Sequence, residues 1–246
     1  MSGHSKWATI KHAKGAADAK RGQMFTKLIK EISIAARMGG GNAEGNPRLR
    51  TAIIKARGAN MPKDNIDRAI KKGTGELEGV NYEELTYEAY AGGGVGILIE
   101  VLTDNKNRAA ADVRNILTRG GGELAKAGSV TRLFKRKGII TLDGEKYTED
   151  QVMEAALEGG AEDVFSGDGI IEVTSAPEDF EAVMEALSAK NFETLSAEIS
   201  MIAEAEVNLD NDAVAKAMRM IDRLEENDDV QNVYHNMAVP EGFASE

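Results

Sequence analysis

Lysine and arginine dominate the residues able to do chemistry in the first 76 positions, and the chemistry open to them is the binding of phosphate. Lys6, Lys11, Lys14, Lys20, Arg21, Lys27, Lys30, Arg48, Arg50, Lys55, Arg57, Lys63, Arg68, Lys71 and Lys72 sit among few acids. Sixteen Lys or Arg face six Asp or Glu there, a net +10, whereas residues 77–246 carry fourteen against thirty-five, a net −21. Clustered cations gain affinity for a polyanion by releasing its condensed counterions, and an acidic remainder repels the same polymer elsewhere. Ordinary helix surfaces mix signs, so an excess this large predicts a phosphate-binding face rather than a merely solvated one. Trp7 lies among the first of these cations. An indole there can stack on an unpaired base or pin its own segment to neighbouring helices.

Other chemistries lack their residues. The chain has no Cys, which excludes disulfides, thiolate metal sites and cysteine nucleophiles and fits a reducing compartment. Three histidines, His4, His12 and His235, are too scattered for a metal-ligand spacing, so neither a metal nor a cofactor is expected. Ala91–Gly96, AGGGVG, superficially suggests a phosphate loop but lacks the GK[ST] that should follow, and it joins strand to strand; a hairpin turn is expected. No Ser sits in a GxSxG elbow. No catalytic constellation and no small-molecule substrate are evident. The first residues lack the apolar run of a signal peptide, and no run approaches a membrane span, so a soluble cytoplasmic protein is expected.

The cations must be positioned by helices. Ser2 to Lys14 reads as an extended arm. Met24, Leu28 and Ile32, with Phe25, Ile29 and Ala36 beside them, form one apolar stripe on a helix from about Ala16 to the Gly39-Gly40-Gly41 breaker, with Lys20, Lys27 and Lys30 on the opposite face. Asn46-Pro47 opens a second helix that turns Leu49, Ile53 and Ala56 inward, and Pro62 opens a third that turns Ile66 and Ile70 inward. GTGELEG then reads as a linker. Strands are expected at Thr86–Ala91, Gly96–Thr103 and Ser129–Phe134, with a helix from Asn107 to about Arg119. After the basic knot Lys135-Arg136-Lys137 comes strand, helix, strand, strand, helix, strand between Ile139 and Met201, the order of a ferredoxin-like unit. A helix at Asn211–Glu225 and a strand at Val230–His235 lack partners in that unit. The expected fold is therefore α+β: a basic helical domain with its arm over 1–76, a discontinuous α/β domain over 77–136 plus 206–246, and a ferredoxin-like βαββαβ domain over 137–205 inserted into it.

GHSKWATIKHAKGAADAKRGQMFTKLIKEI, NPRLRTAIIKARGANMPKDNIDRAIKKG, TDNKNRAAADVRNIL, GSVTRLFKRKG and DDVQNVYHN together resemble the YebC/PmpR family over nearly the whole chain. The resemblance implies a helical domain followed by two α/β domains and a cytoplasmic, DNA-binding transcriptional regulator. It equally implies relatives that activate translation on messenger RNA or ribosomes. Position 13, commonly basic in the family, is Ala13 here, which removes one expected phosphate contact. Two readings follow: a DNA-binding regulator of gene expression, and a translation factor that binds ribosomal or messenger RNA through the same cations. No helix carries a base-reading set of Asn, Gln and Arg, so any specificity for a DNA sequence would be weak or shape-based. The residues themselves lean slightly toward RNA, because a basic domain tethered to acidic α/β modules, without dimer-forming heptads or a clear helix-turn-helix, suits an irregular RNA. A third reading is a protein adaptor whose acidic modules engage a basic partner.

Overall fold

The computed structural model describes residues 18–167 and 169–240. The chain divides into two compact units, one of residues 132–206, the other of the described residues before 132 and after 206.

The second of these begins with three helices, α1 (Asp18–Gly39), α2 (Pro47–Gly58) and α3 (Lys63–Thr74). Their shared core is Ile32, Ala35 and Ala36 of α1, Leu49, Ala52, Ile53 and Ala56 of α2, and Ile66 and Ala69 of α3. So many alanines allow the helices to approach closely. Phe25, Leu28 and Ile29 pack against this core, whereas Met24, at the head of the expected stripe, is exposed. One buried amide sets the α1–α2 corner: Asn46 Oδ1 accepts from the Leu49 amide at 3.1 Å, capping α2, while Nδ2 donates to the carbonyls of Ala35 and Gly40 at 2.8 and 2.9 Å, closing α1. Where α3 crosses α1, Ser33 Oγ donates to the Ala69 carbonyl at 3.1 Å. A Cβ on Gly73 would lie 2.2 Å from the Ser33 carbonyl oxygen, so this position admits no side chain.

Beyond the helices, β1 (Glu83–Tyr90) and β2 (Gly96–Thr103) form an antiparallel hairpin in register from Glu83↔Thr103 to Tyr90↔Gly96. Its turn is the glycine run, closed by the Ala91 amide on the Val95 carbonyl at 2.8 Å. The hairpin reading of AGGGVG holds. α4 (Lys106–Gly120), the short β3 (Glu123–Leu124), α7 (Asn211–Glu225) and β8 (Val230–His235) complete a sheet of order β3-β1-β2-β8. Central β2 is buried at Ile97, Leu98 and Ile99, as its unbroken apolar run requires, and α4 and α7 bury Val113, Leu117, Val214, Met218, Ile221 and Leu224.

The strand expected at Ser129–Phe134 does not form. A 3₁₀ turn occupies Thr131–Leu133, and the next strand starts at Phe134. The reason is Glu88, buried in β1, whose carboxylate accepts from the amides of Gly128, Val130 and Thr131 at 2.6, 2.5 and 2.9 Å. Amides engaged by a carboxylate cannot join a ladder. Burial opposes the charge of Glu88, but the three amide bonds outweigh it and hold the carboxyl below its ordinary value.

The unit of residues 132–206 has strands β4 (Phe134–Asp143), β5 (Ala161–Gly167), β6 (Ile170–Ser175) and β7 (Thr194–Ala203), with α5 (Glu149–Glu158) and α6 (Phe180–Ala189). Sheet order β5-β6-β4-β7, antiparallel throughout, is the ferredoxin-like arrangement. Its core joins Ile140, Leu142, Ile171 and Val173 of the sheet to Val152, Ala156, Val183 and Leu187 of the helices. The fold is thus mixed α and β, with an N-terminal helical region followed by two sheet-containing domains.

The crossing of α1 and α3 can be probed directly. Gly73→Ala should lower stability by about 1–3 kcal/mol, as overpacking does, and lower the melting temperature. Gly58→Ala, where an added Cβ meets nothing within 4 Å, should be neutral or slightly stabilising. Equal melting of both variants would show that the crossing is loose.

Candidate nucleic-acid interface

The three helices divide the predicted phosphate-binding residues into those engaged within the molecule and those left on its surface. Lys6, Trp7, Lys11 and Lys14 lie outside the described residues. Lys20 falls in the first turn of α1, its side chain likewise outside them, and Arg21 follows it, exposed.

The polar face of α1 does not point outward. Its donors close the C-terminal end of α7 and the turn after it: Gln23 Nε2 reaches the Glu226 carbonyl at 2.9 Å and Lys27 Nζ the Glu225 carbonyl at 2.6 Å, while Lys30 Nζ reaches the Asp228 carbonyl of the turn at 2.9 Å. A helix C-terminus presents unpaired carbonyls and partial negative charge, so cations are the groups that settle there. Lys30 is buried and also donates to Asp229 Oδ1 at 2.7 Å and the Leu102 carbonyl at 3.3 Å, with the Tyr82 ring 5.6 Å away. All three of its donors are accounted for. The second oxygen of Asp229 accepts from Arg108 Nε and Nη2 at 3.1 and 2.7 Å, and Arg108 also reaches Asp104 at 2.7 Å. Burial would raise the Asp229 carboxyl, but the hydrogen bonds from Lys30 and Arg108, with the Lys30 charge, outweigh it and hold the group below its ordinary value.

Arg48 was expected to face outward. Instead its guanidinium forks onto Glu31 at 2.7 and 3.0 Å and reaches Glu84 of β1 at 2.5 Å. Burial opposes its charge, and the two glutamates more than restore it. Arg37 donates to the Tyr82 carbonyl at 2.5 Å, and Arg50 to the carbonyls of Ala43 and Glu44 at 3.1 and 3.2 Å. In the other unit the basic knot is also partly engaged, Lys135 with Glu204 and Lys137 with Glu162, while Arg136 is exposed between them.

What remains outward is one set of side chains. Lys55 and Arg57 lie near the end of α2, Lys63 starts α3, and Arg68, Lys71 and Lys72 line the C-terminal half of α3 at spacings of three and four; all are exposed. Arg57, Lys63, Arg68, Lys71 and Lys72 make no ion pair among the described residues. Such a set can hold phosphates. Among the described residues no three His, Asp or Glu converge as metal ligands. His235 is buried, its Nδ1 accepting from the Met237 amide at 3.2 Å. No helix among the described residues is long and apolar enough to cross a membrane.

Residues 5–76 match the model of the TACO1/YebC protein N-terminal domain, and residues 82–237 that of the TACO1/YebC second and third domain. The chain belongs to the TACO1/YebC family. A probable transcriptional regulatory protein of Treponema denticola is 66% identical over 243 residues, covering 99% of this chain and 98% of that one. Another of that name, from Trichlorobacter lovleyi, is 57% identical over 239 residues, covering 97% and 96%. The crystal structure of the conserved hypothetical protein Aq1575 from Aquifex aeolicus superposes with a TM-score of 0.88 at 44% identity, over 98% of this chain and all of that one.

In this TACO1/YebC chain, the Lys30–Asp229 pair ties the stretch matched by the first family model to the stretch matched by the second. Sequence reasoning put Lys30 on the wrong side and passed over Asp229 and Arg108, although both lie in strings that carried the family resemblance. Asp229→Ala should cost about 3–5 kcal/mol, because it leaves a buried ammonium without its anion. A depressed carboxyl contributes its stability above the unfolded value, about 3.9, and loses it as pH falls through the lower folded value. The stability gap between wild type and Asp229→Asn, measured in urea, should therefore hold steady from neutral pH to about 5 and shrink in stronger acid. A gap that widens on acidification would contradict the assignment.

Proposed function

We propose that this chain is a nucleic-acid-binding regulator of gene expression that grips phosphate through the exposed cations of α2 and α3. The observation that carries this reading is that Lys55, Arg57, Arg68, Lys71 and Lys72 are all exposed, on α2 and α3 of a chain whose net charge is −11. A protein this acidic repels polyanions over most of its surface, so an exposed group of cations supplies both the contact and its orientation. The printed names of the relatives, probable transcriptional regulatory proteins, support the same class of activity. In this reading Lys6, Lys11, Lys14, Lys20 and Arg21, with Trp7, add to the contact. Arg48, held by two glutamates, supports the surface from beneath; Lys27 acts as a helix cap; Arg50 holds the loop ahead of α2.

The first target is duplex DNA, as the names of the relatives suggest. A specific observation favours RNA as the second: the outermost line of α2, Pro47, Thr51, Ile54 and Gly58, carries no side chain with which to read base edges in a major groove. RNA is recognised largely through shape, sugar hydroxyls and unpaired bases, which does not require such a set.

Lys71→Glu with Lys72→Glu should weaken binding to any phosphate polymer and flatten the logarithmic salt dependence. The loss in slope should be about 1.8 for duplex DNA and about 1.4 for single strands, two contacts' worth. Fluorescence polarisation across a salt series, with ribosome co-sedimentation beside it, reads both effects. An unchanged slope and affinity on every polymer would remove the phosphate-binding reading.

A further inference from the structure

The outer side of α2 has an arrangement that phosphate binding alone does not require. At 100° per residue, Pro47, Thr51, Ile54 and Gly58 fall on one line along the helix, opposite buried Leu49, Ala52, Ile53 and Ala56. Ile54, at the centre of the line, is 62% exposed, a large aliphatic group turned to solvent in the most cationic part of the chain. Thr51 Oγ1 is turned back onto the Pro47 carbonyl at 3.1 Å, and a Cβ added at Gly58 meets nothing within 4 Å. The line is thus a low crest without charge or amide. Each flank carries an exposed cation, Arg57 on one side beside Arg50, and Lys55 on the other beside the Arg48 that Glu31 and Glu84 clamp.

We propose that this crest is laid into the shallow groove of an A-form RNA duplex, with Ile54 packed on the sugars of the groove floor and Arg57 and Lys55 reaching the opposite strands. The proposal rests on the phosphate-binding reading above and adds the shape of the ligand. Charge complementarity supports it, because cations on both sides of one crest match phosphates on both sides of one groove. The chemistry of the crest selects among grooves. A helix in the major groove of DNA gains its discrimination from bidentate polar side chains, and the crest has none; the major groove of A-form RNA is too deep and narrow for side chains to read. The A-form minor groove is wide and shallow and is recognised by shape, which suits a smooth crest of Pro, Thr, Ile and Gly. A helix of twelve residues is about 18 Å long, so the crest is a short rod lying along the groove with one basic flank toward each strand.

The test uses the full chain and polarisation titrations on three probes: an RNA duplex of about 16 base pairs, the DNA duplex of the same sequence, and single-stranded RNA. Ile54→Ser should weaken RNA-duplex binding by about tenfold, the effect of losing most of one aliphatic side chain's burial. Its salt slope should stay that of wild type, since no phosphate contact is lost, and Ile54→Leu should bind within about twofold of wild type, the apolar contact being kept. Circular dichroism melts of both variants should match wild type because the side chain is outside the core. If Ile54→Ser binds RNA duplex like wild type while Lys71→Glu with Lys72→Glu loses affinity, the crest proposal is overturned and the phosphate-binding reading stands. If the DNA duplex binds more tightly than RNA and is the probe sensitive to Ile54, the A-form assignment is overturned. If neither kind of variant changes binding to any probe, both readings fall.

Discussion

A buried ammonium must have its anion, and the placement of the helical region rests on that constraint at Lys30. Its three donors go to the Asp229 carboxylate and the carbonyls of Asp228 and Leu102, and Asp229 is shared with Arg108. Desolvating such a group is costly unless geometry satisfies it fully. The pair therefore acts less as a source of net stability than as a register mark: few orientations of α1 present Lys30, Lys27 and Gln23 together to the end of α7. Once α1 is fixed in this way, the close crossing at Gly73 and the Asn46 corner fix α3 and α2 in turn. The outward surface is thus decided by a contact on the inward one.

This changes how the charge imbalance should be understood. A net +10 over the first 76 residues counts every cation equally. Yet Lys30, Lys27, Arg37 and Arg48 act within the fold, two against carboxylates and two against carbonyls. The cations left exposed are concentrated on α2 and the second half of α3. Partial neutralisation sharpens the surface, because charges spread over every face of a small helical bundle would attract a polyanion in many orientations, and a restricted set favours few.

Much of the fold was legible because hydrophobic period and breakers carry it. The helix at Asn211–Glu225 and the strand at Val230–His235 follow from period and length, and the βαββαβ order is a one-dimensional pattern that survives into the sheet. What the sequence could not carry was long-range polar pairing. Nothing near Lys30 signals a partner about 200 positions away, so a lysine on the polar side of an amphipathic helix is assigned to solvent by default. The same blindness produced a strand at Ser129–Phe134, where β-branched and aromatic residues have the right propensity but their neighbouring amides are claimed by Glu88. For the candidate site, residue type was legible and accessibility was not: Arg48 and Arg57 look alike in sequence, and only packing separates a guanidinium clamped by Glu31 and Glu84 from one facing solvent.

The two carboxylates that sequence reasoning missed bear on one question of specificity. Asp229 and Glu88 both fix backbone and side-chain donors inside the second unit. Polar recognition in this chain is thus spent on internal order, while its exposed cationic surface offers rails of charge and an apolar crest. Such a surface can distinguish the form of a polymer, since groove width and phosphate spacing decide whether both rails engage. It has little with which to distinguish one base sequence from another.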